Sequence, residues 1–113
     1  MTHSKLAQQK ITRPLKIGDE HPTEFNDMPK GLAGYWWETE HQICIPVIFN
    51  NNEGDGTFGK WLDELEAKGK TIFFPTIVSA RLDFILRNKG YQDAYVIDNE
   101  MGIISGLGKI CHS

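Results

Sequence analysis

The chain has few of the residues that usually betray a function. There are two cysteines in 113 residues, Cys44 and Cys111, without metal-type spacing, and four histidines scattered at positions 3, 21, 41 and 112. That argues against a Cys/His metal centre, and no Ser/His/Asp set can be assembled. Basic charge is scarce as well. The net charge is −3, and Lys5, Lys10, Arg13 and Lys16 gather in one polar N-terminal stretch. A nucleic-acid binder would show a basic stripe, so nucleic acid is not an expected partner. No run approaches the ~20 apolar residues that cross a bilayer. The opening Met1-Thr2-His3-Ser4-Lys5 also lacks the apolar stretch of a secretory signal. A cytoplasmic chain with free thiols and no membrane partner is the expectation.

Apolar material is sufficient for one core: 40% hydrophobic residues, with three Trp, six Phe and three Tyr. A domain this small gains from burial against another surface, so a homodimer or a protein partner is an open expectation. Residues 1–10 read as a flexible N-terminal segment, and residues 11–113 as one domain. Ile11 to Ile17 alternates weakly, and Pro14 makes it an edge strand. Residues 18–34, with their Gly and Pro, read as loop with one helical turn around Glu24 to Met28.

Tyr35 to Thr39 and Gln42 to Phe49 predict an antiparallel hairpin. The second strand is nearly continuous in apolar residues, as in a strand buried on both faces, and Pro46 within it implies a bulge or a locally unpaired N–H. A Gly-rich turn follows, Glu53-Gly54-Asp55-Gly56-Thr57-Phe58-Gly59. Phe58, Trp61, Leu62 and Leu65 then recur at helical spacing up to Lys68-Gly69-Lys70. Thr71 to Pro75 reads as a strand, and Ser79 to Asn88 as a second helix capped by Gly90. Ala94 to Ile97 and Gly102 to Leu107 close the chain as a hairpin. The predicted class is α/β (α+β), with a mixed, mostly antiparallel sheet and two main helices.

In that order, Ile48 to Tyr91 resembles the core of the GNAT superfamily of acyl-CoA N-acyltransferases. The family has a strand, an R/Q-x-x-G-x-G/A turn opening a helix, then a strand and a helix ending in a Lys-x-Gly-Phe-like element. Here the turn is Glu53 to Phe58 and the ending is Asn88-Lys89-Gly90-Tyr91. Ile11 to Leu15 resembles the first strand of such proteins. The resemblance implies binding of acetyl-CoA or another acyl-CoA at Ile48, Gly54, Asp55, Gly56, Thr57, Phe58, Gly59 and Ser79, with the pyrophosphate on the turn's N–H groups. It implies direct acyl transfer to an amine, with Glu38 and Tyr91 as weak catalytic candidates. Stripped-down domains of this kind occur among bacteriophage accessory proteins.

The departures from the pattern are specific. The space between Lys16 and Tyr35 leaves almost no room for the family's first two helices. Glu53 stands in place of Arg or Gln, Asp55 adds a second carboxylate, and Phe58 replaces a small residue. Ser79 stands for an Asn, and Leu86 for the Tyr that protonates the leaving thiolate. Two carboxylates within ~4 Å of a phosphate would oppose it by about 1 kcal/mol each even in water. Glu38, Glu40 and His41 also fit a solvated hairpin end. Tyr91 and Tyr95 fit packed aromatics, and Cys44 fits an inert buried thiol. Trp36 and Trp37 must face opposite sides of a strand. One indole therefore enters the core, and the other becomes an interface anchor if no helix covers it. The alternative to an enzyme is a catalytically inactive GNAT-like domain that grips a protein, or itself, through an exposed aromatic sheet face.

Overall fold

The computed structural model describes residues 13–18, 20, 24–29, 31–50, 56–75, 77 and 79–111, with only the backbone at 24 and 47–50. Residues 1–12 and the segment 51–55, which holds Glu53, Gly54 and Asp55, lie outside the described residues. The elements in chain order are β1 (Leu15–Ile17), β2 (Glu24–Asp27), β3 (Leu32–Glu38), β4 (Gln42–Asn50), α1 (Thr57–Glu66), β5 (Thr71–Pro75), α2 (Ala80–Asn88), β6 (Gln92–Asp98) and β7 (Gly102–Ile110). The seven strands form one mixed sheet in the order β1-β6-β7-β5-β4-β3-β2. Only β1–β6 and β4–β5 are parallel neighbours.

The first hairpin, the last hairpin and both helices fall where periodicity placed them. The predicted helical turn at Glu24 to Met28 is instead strand β2, paired antiparallel with β3 from Glu24↔Glu38 to Asp27↔Tyr35. Local sequence favoured a turn there, but the open edge of β3 offers a full row of backbone partners, and tertiary pairing overrides the weak local preference. Strand β3 also begins earlier than expected, at Leu32, because Ala33 and Gly34 continue the pairing with β4. Strand β1 is an edge strand, as Pro14 suggested.

The bulge near Pro46 is visible in the register. Tyr35 pairs with Val47 and Trp37 with Cys44, so β4 carries one extra residue in that stretch. A proline there has no N–H to contribute to the ladder, and a bulge removes the need for one.

Both helices lie on one face of the sheet. Helix α1 buries Phe58, Trp61, Leu62 and Leu65 against Trp36, Ile43, Ile45, Ile72 and Phe74, and α2 adds Leu86 to the same core. Trp36 meets Trp61 edge-on at 5.9 Å and donates its indole N–H to Asp27 O at 3.3 Å. A smaller cluster, Ile17, Phe73 and Ala94 with Leu15, Cys44 and Val96, occupies the other face and receives nothing from either helix. Among the described residues no helix is long and apolar enough to cross a membrane.

Candidate functional site

Strands β4 and β5 run parallel, and their pairing is brief. It covers Gln42↔Thr71, Ile43↔Ile72 and Cys44↔Phe73, whereas β4 continues to Asn50 and β5 to Pro75. Beyond Cys44 and Phe73 the two strands are no longer paired. Helix α1 follows β4 and helix α2 follows β5, so both begin at that same end of the sheet. Crevices at the carboxyl ends of parallel strands, facing helix N-termini, are the usual ligand positions in open α/β sheets.

Of the residues expected to hold a cofactor, Gly54 and Asp55 lie outside the described residues. Gly56 adopts φ +81° and is the N-cap of α1, without a side-chain cap. Its carbonyl accepts from Lys60 N at 3.1 Å. Among the described residues nothing lies within 4 Å of a Cβ built at Gly56 or Gly59. The first-turn N–H groups of Phe58 and Gly59 have no acceptor within the helix itself. Thr57 opens the helix, half-buried.

Phe58 does not lie over the turn. Its side chain is only 7% exposed, with its ring 6.3 Å from Trp61 and 6.5 Å, edge-on, from Phe74. Only its backbone belongs to the turn. Ile48 pairs with Gly34 within β4, beyond the point where β5 leaves. Ser79 is the N-cap of α2, and its hydroxyl accepts from Leu82 N at 3.2 Å.

The two catalytic candidates are held elsewhere. Glu38 pairs with Ile43, at the start of β4. Asn50, at the far end of that strand, is about 20–25 Å away at ordinary strand rise. Lys70 Nζ donates to Glu38 Oε2 at 2.7 Å and Lys68 Nζ to Oε1 at 3.2 Å. Burial pushes this carboxyl up, but hydrogen bonds from the two ammonium groups outweigh it and leave the carboxyl below its usual range. Lys68 also stands 5.5 Å from the centroid of Trp36. Such a carboxylate ties the β3 end to the chain around β5.

Tyr91 is buried, edge-on to Phe74 at 5.6 Å, and its hydroxyl donates to Glu66 Oε2 at 2.9 Å. Burial and the adjacent Glu66 carboxylate drive its phenol well above the ordinary range. Leu86 is fully buried in the core.

Three groupings escaped sequence reasoning because each joins residues far apart in the chain. The first is the Glu38 and double-lysine cluster, where Lys68-Gly69-Lys70 signalled only a helix end. The second is Glu66 with Tyr91 and Lys109, whose Nζ reaches Glu66 Oε1 at 3.3 Å and Lys89 O at 2.7 Å. The third joins Glu20 to the β3–β4 turn: the Thr39 hydroxyl donates to Glu20 Oε1, and His41 Nδ1 lies 3.2 Å from Glu20 Oε2. Among the described residues no group of three His, Cys, Asp or Glu side chains is arranged to hold a metal ion.

The face opposite the helices carries the other feature of interest. Trp37 projects there with Tyr35 and Phe25; Phe25 stands edge-on to it at 5.7 Å and Tyr35 is nearly parallel at 6.5 Å. Compared with known families, curated proteins and solved structures, the chain matches no family model, no curated protein and no solved structure.

Proposed function

We propose that this domain is a divergent GNAT-like N-acyltransferase, taking an acyl group from acetyl-CoA or another acyl-CoA to an amine. The observation that carries the reading is that the parallel pairing of β4 and β5 stops at Cys44 and Phe73, with both helices beginning at the carboxyl ends of these strands. A thioester-bearing arm fits between two such strands, and the partial positive charge of the helix ends favours its phosphates. The amine nitrogen attacks the thioester carbonyl, the C–S bond breaks, and the acyl group passes directly without a covalent enzyme intermediate. With Leu86 apolar and Glu38 held by two lysines, positioning rather than acid–base assistance supplies the catalysis: the amine attacks in its neutral form, and the leaving thiolate takes its proton from solvent or takes the one that the nitrogen sheds as the amide forms.

Thermal melting tests this reading. A hundredfold excess of acetyl-CoA over its dissociation constant adds about 2.7 kcal/mol of stability. Absence of any shift at millimolar acetyl-CoA sinks the proposal.

A second reading is favoured by the Phe25, Tyr35 and Trp37 rings: an inactive GNAT-like domain that engages a protein, or a second copy, through this face. Exposed aromatic clusters supply much of the energy at protein interfaces. Light scattering behind size exclusion distinguishes it, since a lone monomer that forms no stable complex counts against it.

A further inference from the structure

Strand β2 ends the strand order, so its outer row of backbone N–H and C=O groups has no partner strand among the described residues. Such an edge is a template for one more strand. Its register with β3 sets Phe25 beside Trp37 and Asp27 beside Tyr35. Strand alternation places all four on one face, the face without helices. Phe25 is 67% and Tyr35 43% exposed. The Asp27 side chain is exposed too, and its carboxylate makes no hydrogen bond or ion pair among the described residues.

Charge decides what fits this edge. Strand β2 reads Glu24-Phe25-Asn26-Asp27, two acids and no base. A second copy, pairing antiparallel about a two-fold axis, sets residues of the same face opposite each other, so Asp27 meets another Asp27 or Phe25 and never a base. Like charges directly opposite each other destabilise a strand pair. A basic strand meets the reverse situation: a carboxylate for its ammonium or guanidinium groups, and aromatic ring faces that attract cations.

We infer that the β2 edge and its aromatic face bind an extended segment of a partner protein that carries Lys or Arg at alternate positions. This rests on the aromatic-face reading and is independent of acyl-CoA. Backbone pairing along β2 provides the register, and the Asp27 carboxylate with the three rings selects positive side chains.

The test titrates the isotope-labelled full chain with a synthetic peptide of about seven residues alternating Lys and Val. Controls are a Glu–Val peptide and a Lys–Val peptide N-methylated along one edge. The expected result is saturable shifts of the β2 amides and of the Trp37 indole with the Lys–Val peptide alone, weakening as salt rises. Phe25→Ala weakens binding about tenfold and Asp27→Asn about two- to fivefold. Both side chains are exposed, so the fold survives either change. Equal binding of the Glu–Val peptide overturns the proposal while leaving the aromatic-face reading standing. No shift at Phe25, Tyr35 or Trp37 with any peptide overturns both. A dimer that Phe25→Ala dissolves gives the edge to a second copy, and also overturns the proposal.

Discussion

The hydroxyl of Tyr91 donates to Glu66 Oε2 at 2.9 Å, joining the chain just past α2 to the last residue of α1. Glu66 accepts from Lys109 through its other oxygen, so three segments converge on one carboxylate. Tyr91→Phe removes one of these bonds and leaves Glu66 with Lys109 alone. The expected loss is about 1 kcal/mol, roughly 4 °C in melting temperature for a domain of this size. Any acyltransfer rate measured below the new melting point stays unchanged, because Tyr91 acts within the core. A large fall in kcat with unchanged stability contradicts this.

The acid sensitivity of the fold follows from Glu38. Its folded carboxyl lies below the ordinary value of 4.5, so the unfolded chain takes up its proton first. Its stabilising contribution is complete above that value and disappears as pH falls through the lower folded one. Glu20 and Asp98 are displaced in the same direction, Glu20 chiefly by the Thr39 hydroxyl and Asp98 by the backbone N–H groups of Met101 and Glu100. Melting temperature is therefore flat near neutrality and falls below about pH 4.5. Glu38→Gln is less stable at pH 7 and falls less steeply in acid. A variant curve parallel to the parent's, at every pH, refutes the assignment.

Burial raises the Cys44 thiol to about 12, and Cys111 is shifted upward for the same reason. At pH 8 only about one Cys44 in ten thousand is thiolate. A chromogenic disulfide reagent at pH 8 is expected to label the native chain slowly, and both thiols at once in denaturant. Rapid labelling of one equivalent in the folded state is the contrary outcome.

Two glycines are required for different reasons, and alanine scanning separates them. A Cβ at Gly106 would stand 2.0 Å from Phe74 O and 2.8 Å from Pro75 Cα, so Gly106→Ala forces β5 and β7 apart. A loss of about 1–3 kcal/mol follows. Gly56 has a φ of +81° and no described residue within 4 Å of a built Cβ, so Gly56→Ala is destabilising through backbone strain, by about 1 kcal/mol. Equal melting temperatures for Gly106→Ala and the parent contradict the packing account.

Much of the architecture was legible in local pattern. The spacing of Phe58, Trp61, Leu62 and Leu65 fixed α1 and its buried face, and Ser79 marked the start of α2. The adjacent tryptophans required one ring in the core and one outside, and Trp36 and Trp37 are so divided. Strand β2 was not legible, because Glu24-Phe25-Asn26-Asp27 has turn-forming residues and becomes a strand only through β3. The role of Glu38 was hidden for a similar reason: its two lysines lie 30 and 32 positions further along. Phe58 stood in both the turn and the helical stripe, and its ring follows the stripe, buried beside Trp61 and Phe74.

The pairing of β1 with β6 sets the order of events during synthesis. Leu15 is aligned with Ala94, 79 positions later. A nascent chain leaving the ribosome can close the β3–β4 hairpin within seconds of making it, yet must carry the apolar side chains of β1 without their sheet neighbours until β6 has been translated. That interval is when a chaperone that recognises short apolar segments has its best opportunity on this chain. Slowing translation between the two strands lengthens the exposure and leaves the finished fold the same.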